Sequence, residues 1–74
     1  MDFSRPLDAL NTARNKRVIV YLKNSKIYIG NLTAFDIHIN VVLDNAEEWE
    51  GGELKKKMGN VFIRGDTITV INPE

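Results

Sequence analysis

Recognition chemistry in this sequence concentrates in Phe35-Asp36-Ile37-His38-Ile39-Asn40, with Arg64-Gly65-Asp66 as its distant counterpart. His38 offers a flat ring, Asn40 an amide with both donor and acceptor, and Asp36 a carboxylate that can hold either neighbour in place. As a strand of period two, the segment would turn Ile37, Ile39, Val41 and Leu43 to one face and Asp36, His38 and Asn40 to the other. One face would be core, and the other would suit a planar heterocycle. Other chemistry finds no support. No nucleophile and base pair, no phosphate-cradling glycine loop and no metal cluster is recognisable, and a lone histidine in a chain without cysteine makes a poor metal site. The chain is therefore expected to be no enzyme and to carry neither cofactor nor metal.

The elements that must position these residues are few. Seventy-four residues allow one domain, 1–74, with barely enough interior for a single core, so oligomerisation is expected. Hydrophobic residues at 43% and charged residues at 27% suit a folded soluble protein. Ten lysines plus arginines balance ten acids, which excludes a binder that relies on phosphate neutralisation alone. No apolar run approaches the roughly 20 residues of a membrane span. Residues 1–6 lack the layout of a signal peptide, so a cytoplasmic protein without membrane contact is expected.

A short helix is expected over about 5–14, with Pro6 in its first turn, Asp8 at the positive end of the dipole, and Leu7, Leu10 and Ala13 as an apolar stripe. Asn15 would end it. Strands follow at about 16–23, 26–35, 37–47, 54–64 and 66–72, at spacings typical of a small barrel. Asn24-Ser25 reads as a tight turn, and the apolar phase shifts across Gly30, where a barrel strand would bend. The stretch 48–53 reads as a glycine-centred loop with Trp49 packed over a hairpin, whose acidic and basic arms would pair across it. Lys55-Lys56-Lys57 reads as a solvated face, with a secondary RNA contact as the lesser alternative. Gly59-Asn60 would interrupt the fourth strand as a bulge or bend. Val61-Phe62-Ile63 and Thr67-Ile68-Thr69-Val70-Ile71 are uncharged and β-prone, so they would be hazardous as free edges. Pairing these unlike edges between copies is head-to-tail and can close a ring.

Two spaced motifs then stand out: Val18-x-Val20-x-Leu22-Lys23 followed by Gly30-x-Leu32-x-x-Phe35-Asp36-x-His38-x-Asn40-x-x-Leu43, and Gly59-Asn60-Val61-Phe62-Ile63-Arg64-Gly65-Asp66. With the helix before them, they make the chain resemble the Sm-like (LSm) family, in particular its archaeal members, over essentially all of 5–73. Ser25 stands where the family commonly has glycine, and Ile39 where methionine is common. The resemblance implies a strongly bent five-stranded antiparallel open barrel of the Sm-like, SH3-like kind. It also implies a homo-oligomeric ring, typically of seven copies, closed by fourth-strand to fifth-strand pairing. It further implies binding of uridine-rich single-stranded RNA at the pore, and a scaffolding role in RNA processing or ribonucleoprotein assembly beside RNA-processing proteins.

Within that frame His38, Asn40 and Arg64 form the pocket. His38 would stack on a base, with Arg64 of the same or a neighbouring subunit as the opposite plane. Asn40 would pair with the uracil edge, and Asp36 would either fix the Asn40 amide or merely cap a turn. The Gly65 N–H would meet the base, while Asp66 would form the turn or pair with Arg64. The competing reading is a protein-interaction scaffold in which RNA binding is incidental.

Overall fold

The computed structural model describes residues 5–74; residues 1–4, on which part of the N-terminal reading rests, lie outside the described residues. Pro6 opens α1 (Pro6–Asn11), where its missing N–H leaves no bond unmade, and Asp8 sits in the first turn. The helix is shorter than the expected 5–14. From Thr12 the chain continues in tighter turns, with Ala13 N–H on Leu10 O at 2.9 Å and Arg14 N–H on Asn11 O at 3.2 Å. Asn15, at φ +64°, then redirects it. Asparagine tolerates that left-handed conformation, and its N–H is met by Leu32 O at 2.6 Å. The tight turns carry Ala13 into the core, 2% exposed.

Six strands follow: β1 (Arg17–Leu22), β2 (Lys26–Phe35), β3 (Val41–Glu50), β4 (Glu53–Lys57), β5 (Val61–Ile63) and β6 (Ile68–Pro73). They pair antiparallel in the order β4-β3-β2-β1-β6, with β5 also on β3. Alternation in β1 buries Val18 and Val20 on one face, as its pattern demands. On its edge away from β2, β3 holds two partners because it is bent: Val41 to Leu43 pair with β5, and Glu47 to Glu50 pair with β4. Opposite the bend, the β2 register slips between Ile29 and Asn31. Gly30 is buried there, and a Cβ would lie 3.0 Å from Asp44 O and 3.1 Å from Ala46 Cα, so glycine is required by close approach. The folded-over sheet closes on Val18, Val20, Leu32, Val41, Leu43, Ala46 and Ile63.

The fold is thus a short helix followed by a bent, open antiparallel barrel, with six strands instead of five. The expected strand 54–64 is divided because Ala46 exchanges backbone bonds with the intervening residues, donating to Gly59 O at 3.2 Å and accepting from Met58 N–H at 2.7 Å. The expected strand 66–72 starts later, after a 3-10 turn at Gly65–Thr67. The expected loop 48–53 is instead strand up to a two-residue turn: Gly51 and Gly52 take φ +62° and +78°, the signature of the twisted hairpin turn that matches strand twist. Trp49 is therefore a strand residue opposite Leu54, its indole N–H on Glu47 Oε1 at 3.2 Å. Glu47 and Glu48 do stand in register with Lys57 and Lys56. Their salt bridges nonetheless run the other way, to Arg17 at 3.5 Å and Lys26 at 3.9 Å.

Candidate nucleic-acid interface

Residues 36–40 form a turn, which corrects the expected strand from 37 and its assignment of Ile37 to the core. Asp36 Oδ1 accepts from the backbone N–H groups of His38 at 2.8 Å and Asn40 at 3.1 Å. The Ile39 N–H donates to Asp36 O at 3.0 Å, and the Asp36 N–H to Asn40 O at 3.2 Å. A short acidic side chain that offers its oxygens to N–H groups two and four residues on competes with strand pairing, and here it prevails. Ile37 is left 74% exposed. Ile39 adopts φ +61°, an unusual conformation for a β-branched residue, and packs against the core. Of the apolar face expected from period two, Ile39 turns inward through this turn, and Val41 and Leu43 are buried as the start of β3; only Ile37 fails to join the core.

The second half of the site comes from the end of β5. Arg64 follows the buried Ile63, and its carbonyl accepts the Thr67 hydroxyl at 2.7 Å, which holds the 3-10 turn. The Gly65 backbone lies so close to the turn 36–40 that a Cβ would overlap the His38 carbonyl oxygen and stand 2.8 Å from the Ile39 carbonyl carbon. Only glycine permits this approach. The Gly65 N–H then donates to Asn40 Oδ1 at 2.7 Å. In this structure that N–H is spent on Asn40 and is not left for a ligand. Arg64 reaches Asp66 at 3.0 Å, the pairing foreseen as one role for Asp66.

His38, Asn40, Arg64, Gly65 and Asp66 together line one open concavity of about 430 Å³. Asp36 lies just outside it, in a neighbouring groove of about 440 Å³ shared with Asn40, Arg64 and Phe62. Its role is to position: Asp36 Oδ2 accepts from Asn40 Nδ2 at 3.0 Å. That side-chain bond is the main cause holding the Asp36 carboxyl below the usual carboxylate range; desolvation opposes it, and the two backbone donors add to the lowering.

The Asn40 amide is therefore pinned on both sides, nitrogen to Asp36 and oxygen to Gly65. An amide has two hydrogens and its oxygen two lone pairs, so one donor and one acceptor remain on the Asn40 side chain, which lines the concavity. That pair matches a planar ring edge on which an N–H adjoins a carbonyl. The Gly65 contact and the left-handed Ile39 were missed in the sequence; an unbroken Arg-Gly-Asp gives no sign of which distant backbone needs the room. Among the described residues no group of three or more His, Cys, Asp or Glu could hold a metal, and no helix is long and apolar enough to cross a membrane.

With this geometry in place, likeness to known proteins becomes informative. A family model described as LSM domain matches residues 8–73. A protein of Methanosarcina barkeri described as snRNP Sm-like is 50% identical over 70 residues, covering 95% of this chain and 97% of its own length. Its counterpart in Archaeoglobus fulgidus is 48% identical over 69 residues, 93% of this chain and 90% of that one. Among solved structures, an Sm protein of Pyrococcus abyssii in complex with a uridine heptamer superposes with a TM-score of 0.92 at 42% identity, covering 96% of this chain and all of that chain. A heptameric archaeal Sm protein superposes with a TM-score of 0.85 at 34% identity, over 90% of this chain and 97% of its own.

Proposed function

The chain belongs to the LSM domain family, and on that premise we propose that it is a ring-forming RNA-binding protein that holds uridine-rich single-stranded RNA in the concavity of His38, Asn40 and Arg64. The observation that carries the reading is the doubly pinned Asn40 amide, whose remaining donor and acceptor fit uracil, with N3–H on Oδ1 and a ring carbonyl on Nδ2. Cytosine presents an unprotonated ring nitrogen and an amino group, the opposite pattern, and would need the amide turned over. The His38 ring and the Arg64 guanidinium supply flat faces for the base, and Asp66 steadies Arg64. The likeness to the Pyrococcus abyssii protein bound to a uridine heptamer supports the ligand.

Ring closure follows from the free edges. β5 pairs with β3 and β6 with β1 on one side only, while Phe62 on β5 is 80% exposed and Val70 on β6 is 52% exposed. Pairing β5 with the β6 of a neighbour removes both edges at once. Seven copies are proposed, as in the heptameric archaeal relative. The ring would serve as a cytoplasmic scaffold for RNA processing or ribonucleoprotein assembly, without catalytic chemistry of its own. Native mass spectrometry with and without a short oligouridine tests assembly and ligand together. A seven-chain species that takes up oligouridine and leaves oligocytidine is expected; a stable monomer, or equal uptake of both, overturns the proposal.

A further inference from the structure

β4 closes one end of the sheet. It pairs with β3 on a single side, and all five of its residues are exposed. Its outer backbone edge has no partner among the described residues. The ring contact proposed above leaves it open, because a six-residue β6 centred on the three-residue β5 overhangs by only about one or two residues, and β4 lies beyond the break at 58–60.

Charge marks the same edge. Lys55 meets Glu53 at 3.1 Å. Lys56 and Lys57 have no salt bridge among the described residues, since the glutamates in register with them hold Lys26 and Arg17 instead. Successive strand residues point to opposite faces, so the two free ammonium groups flank the open edge from both sides.

We propose that the β4 edge is a docking site for an acidic, extended segment of a partner protein, bound as an added strand. An added strand supplies alternating donors and acceptors to match the edge, with side chains reaching both faces. RNA phosphates offer acceptors alone and would follow one face, so they fit less well. A second copy of β4 brings the same lysines, and β6 brings no acid. Edge lysines commonly block strand addition; here the repulsion makes the edge selective for carboxylates.

The test uses the intact protein and a blocked peptide of two Glu-Glu-Val-Val repeats, which places carboxylates on both faces of an added strand, with the same peptide N-methylated at alternate residues as its control. The single tryptophan, Trp49, lies on β3 opposite Leu54 of β4 and reports occupancy by fluorescence. Saturable binding at one peptide per chain is expected. N-methylation and the double substitution Lys56→Glu, Lys57→Glu should each weaken it at least about tenfold, with oligouridine binding unchanged. Equal binding of the methylated peptide reduces the edge to ionic attraction and overturns the proposal, as does displacement of the peptide by oligouridine or an absence of saturation. If the double variant fails to assemble, the methylated and unmethylated peptides still decide the matter on the unaltered protein.

Discussion

Replacing Gly65 by alanine probes how the two halves of the site are joined. The added Cβ would overlap the His38 carbonyl oxygen and stand 2.8 Å from the Ile39 carbonyl carbon, both rigid backbone. Restoring ordinary contact requires the turns 36–40 and 64–67 to part by roughly an ångström. The 2.7 Å bond from the Gly65 N–H to Asn40 Oδ1 would then stretch beyond hydrogen-bonding range. A neutral hydrogen bond is worth about 0.5–1.5 kcal/mol net. Its loss should therefore lower the preference for oligouridine over oligocytidine by about two- to tenfold. Overall affinity should fall further, because His38 and Arg64 separate with the turns. Fluorescence anisotropy with both labelled oligomers measures the ratio, and light scattering confirms that the assembly survives. Gly59→Ala is the matched control: nothing lies within 4 Å of its added Cβ, so affinity and melting temperature should hold. A Gly65→Ala protein with unchanged affinity and base preference would refute the clamp.

His38→Ala and Arg64→Ala remove faces that any base can stack on, so each should weaken oligouridine and oligocytidine alike, by about 1–3 kcal/mol; Asn40→Ala should chiefly erase the difference between the two oligomers, as parallel titrations would show. Burial, the hydrogen bond to Glu48 and the nearby acidic charges raise the Tyr28 phenol from 10.0 to about 12. A raised folded-state pKa gives stability that is full below the unfolded value and lost as pH climbs through the folded one, so denaturation midpoints should fall between pH 10 and 12, and less so in Tyr28→Phe. Gly30→Ala crowds Asp44 O, Ala46 Cα and Leu43 Cβ at 3.0–3.1 Å and should cost about 1–3 kcal/mol in urea unfolding. Ser25, at φ +72°, sits where glycine is unstrained; Ser25→Gly should stabilise by about 1 kcal/mol, visible as a higher melting temperature.

What the sequence determined by itself is local. Alternation in β1 and β2 gave their extents and, in β1, the buried face, since a period of two needs no knowledge of the partner; in β2 the inward residues are Tyr28, Gly30 and Leu32, not Ile27 and Ile29. Gly30 announced the bend, and the two spaced motifs pointed to the set His38, Asn40, Arg64. Tertiary structure decided everything that depends on who supplies the other half of a bond. Asp36-Ile37-His38-Ile39-Asn40 alternates as cleanly as a strand, yet the Asp36 carboxylate takes the N–H groups a strand partner would have used, and the chain turns. Glu47 and Glu48 face lysines across the hairpin but bind Arg17 and Lys26, because β1 and β2 bring those cations as close and only geometry selects between them. The Asn40 amide has two equivalent-looking orientations in the sequence. It has one in the fold, because the Gly65 N–H, 25 residues away, approaches the oxygen while Asp36 holds the nitrogen.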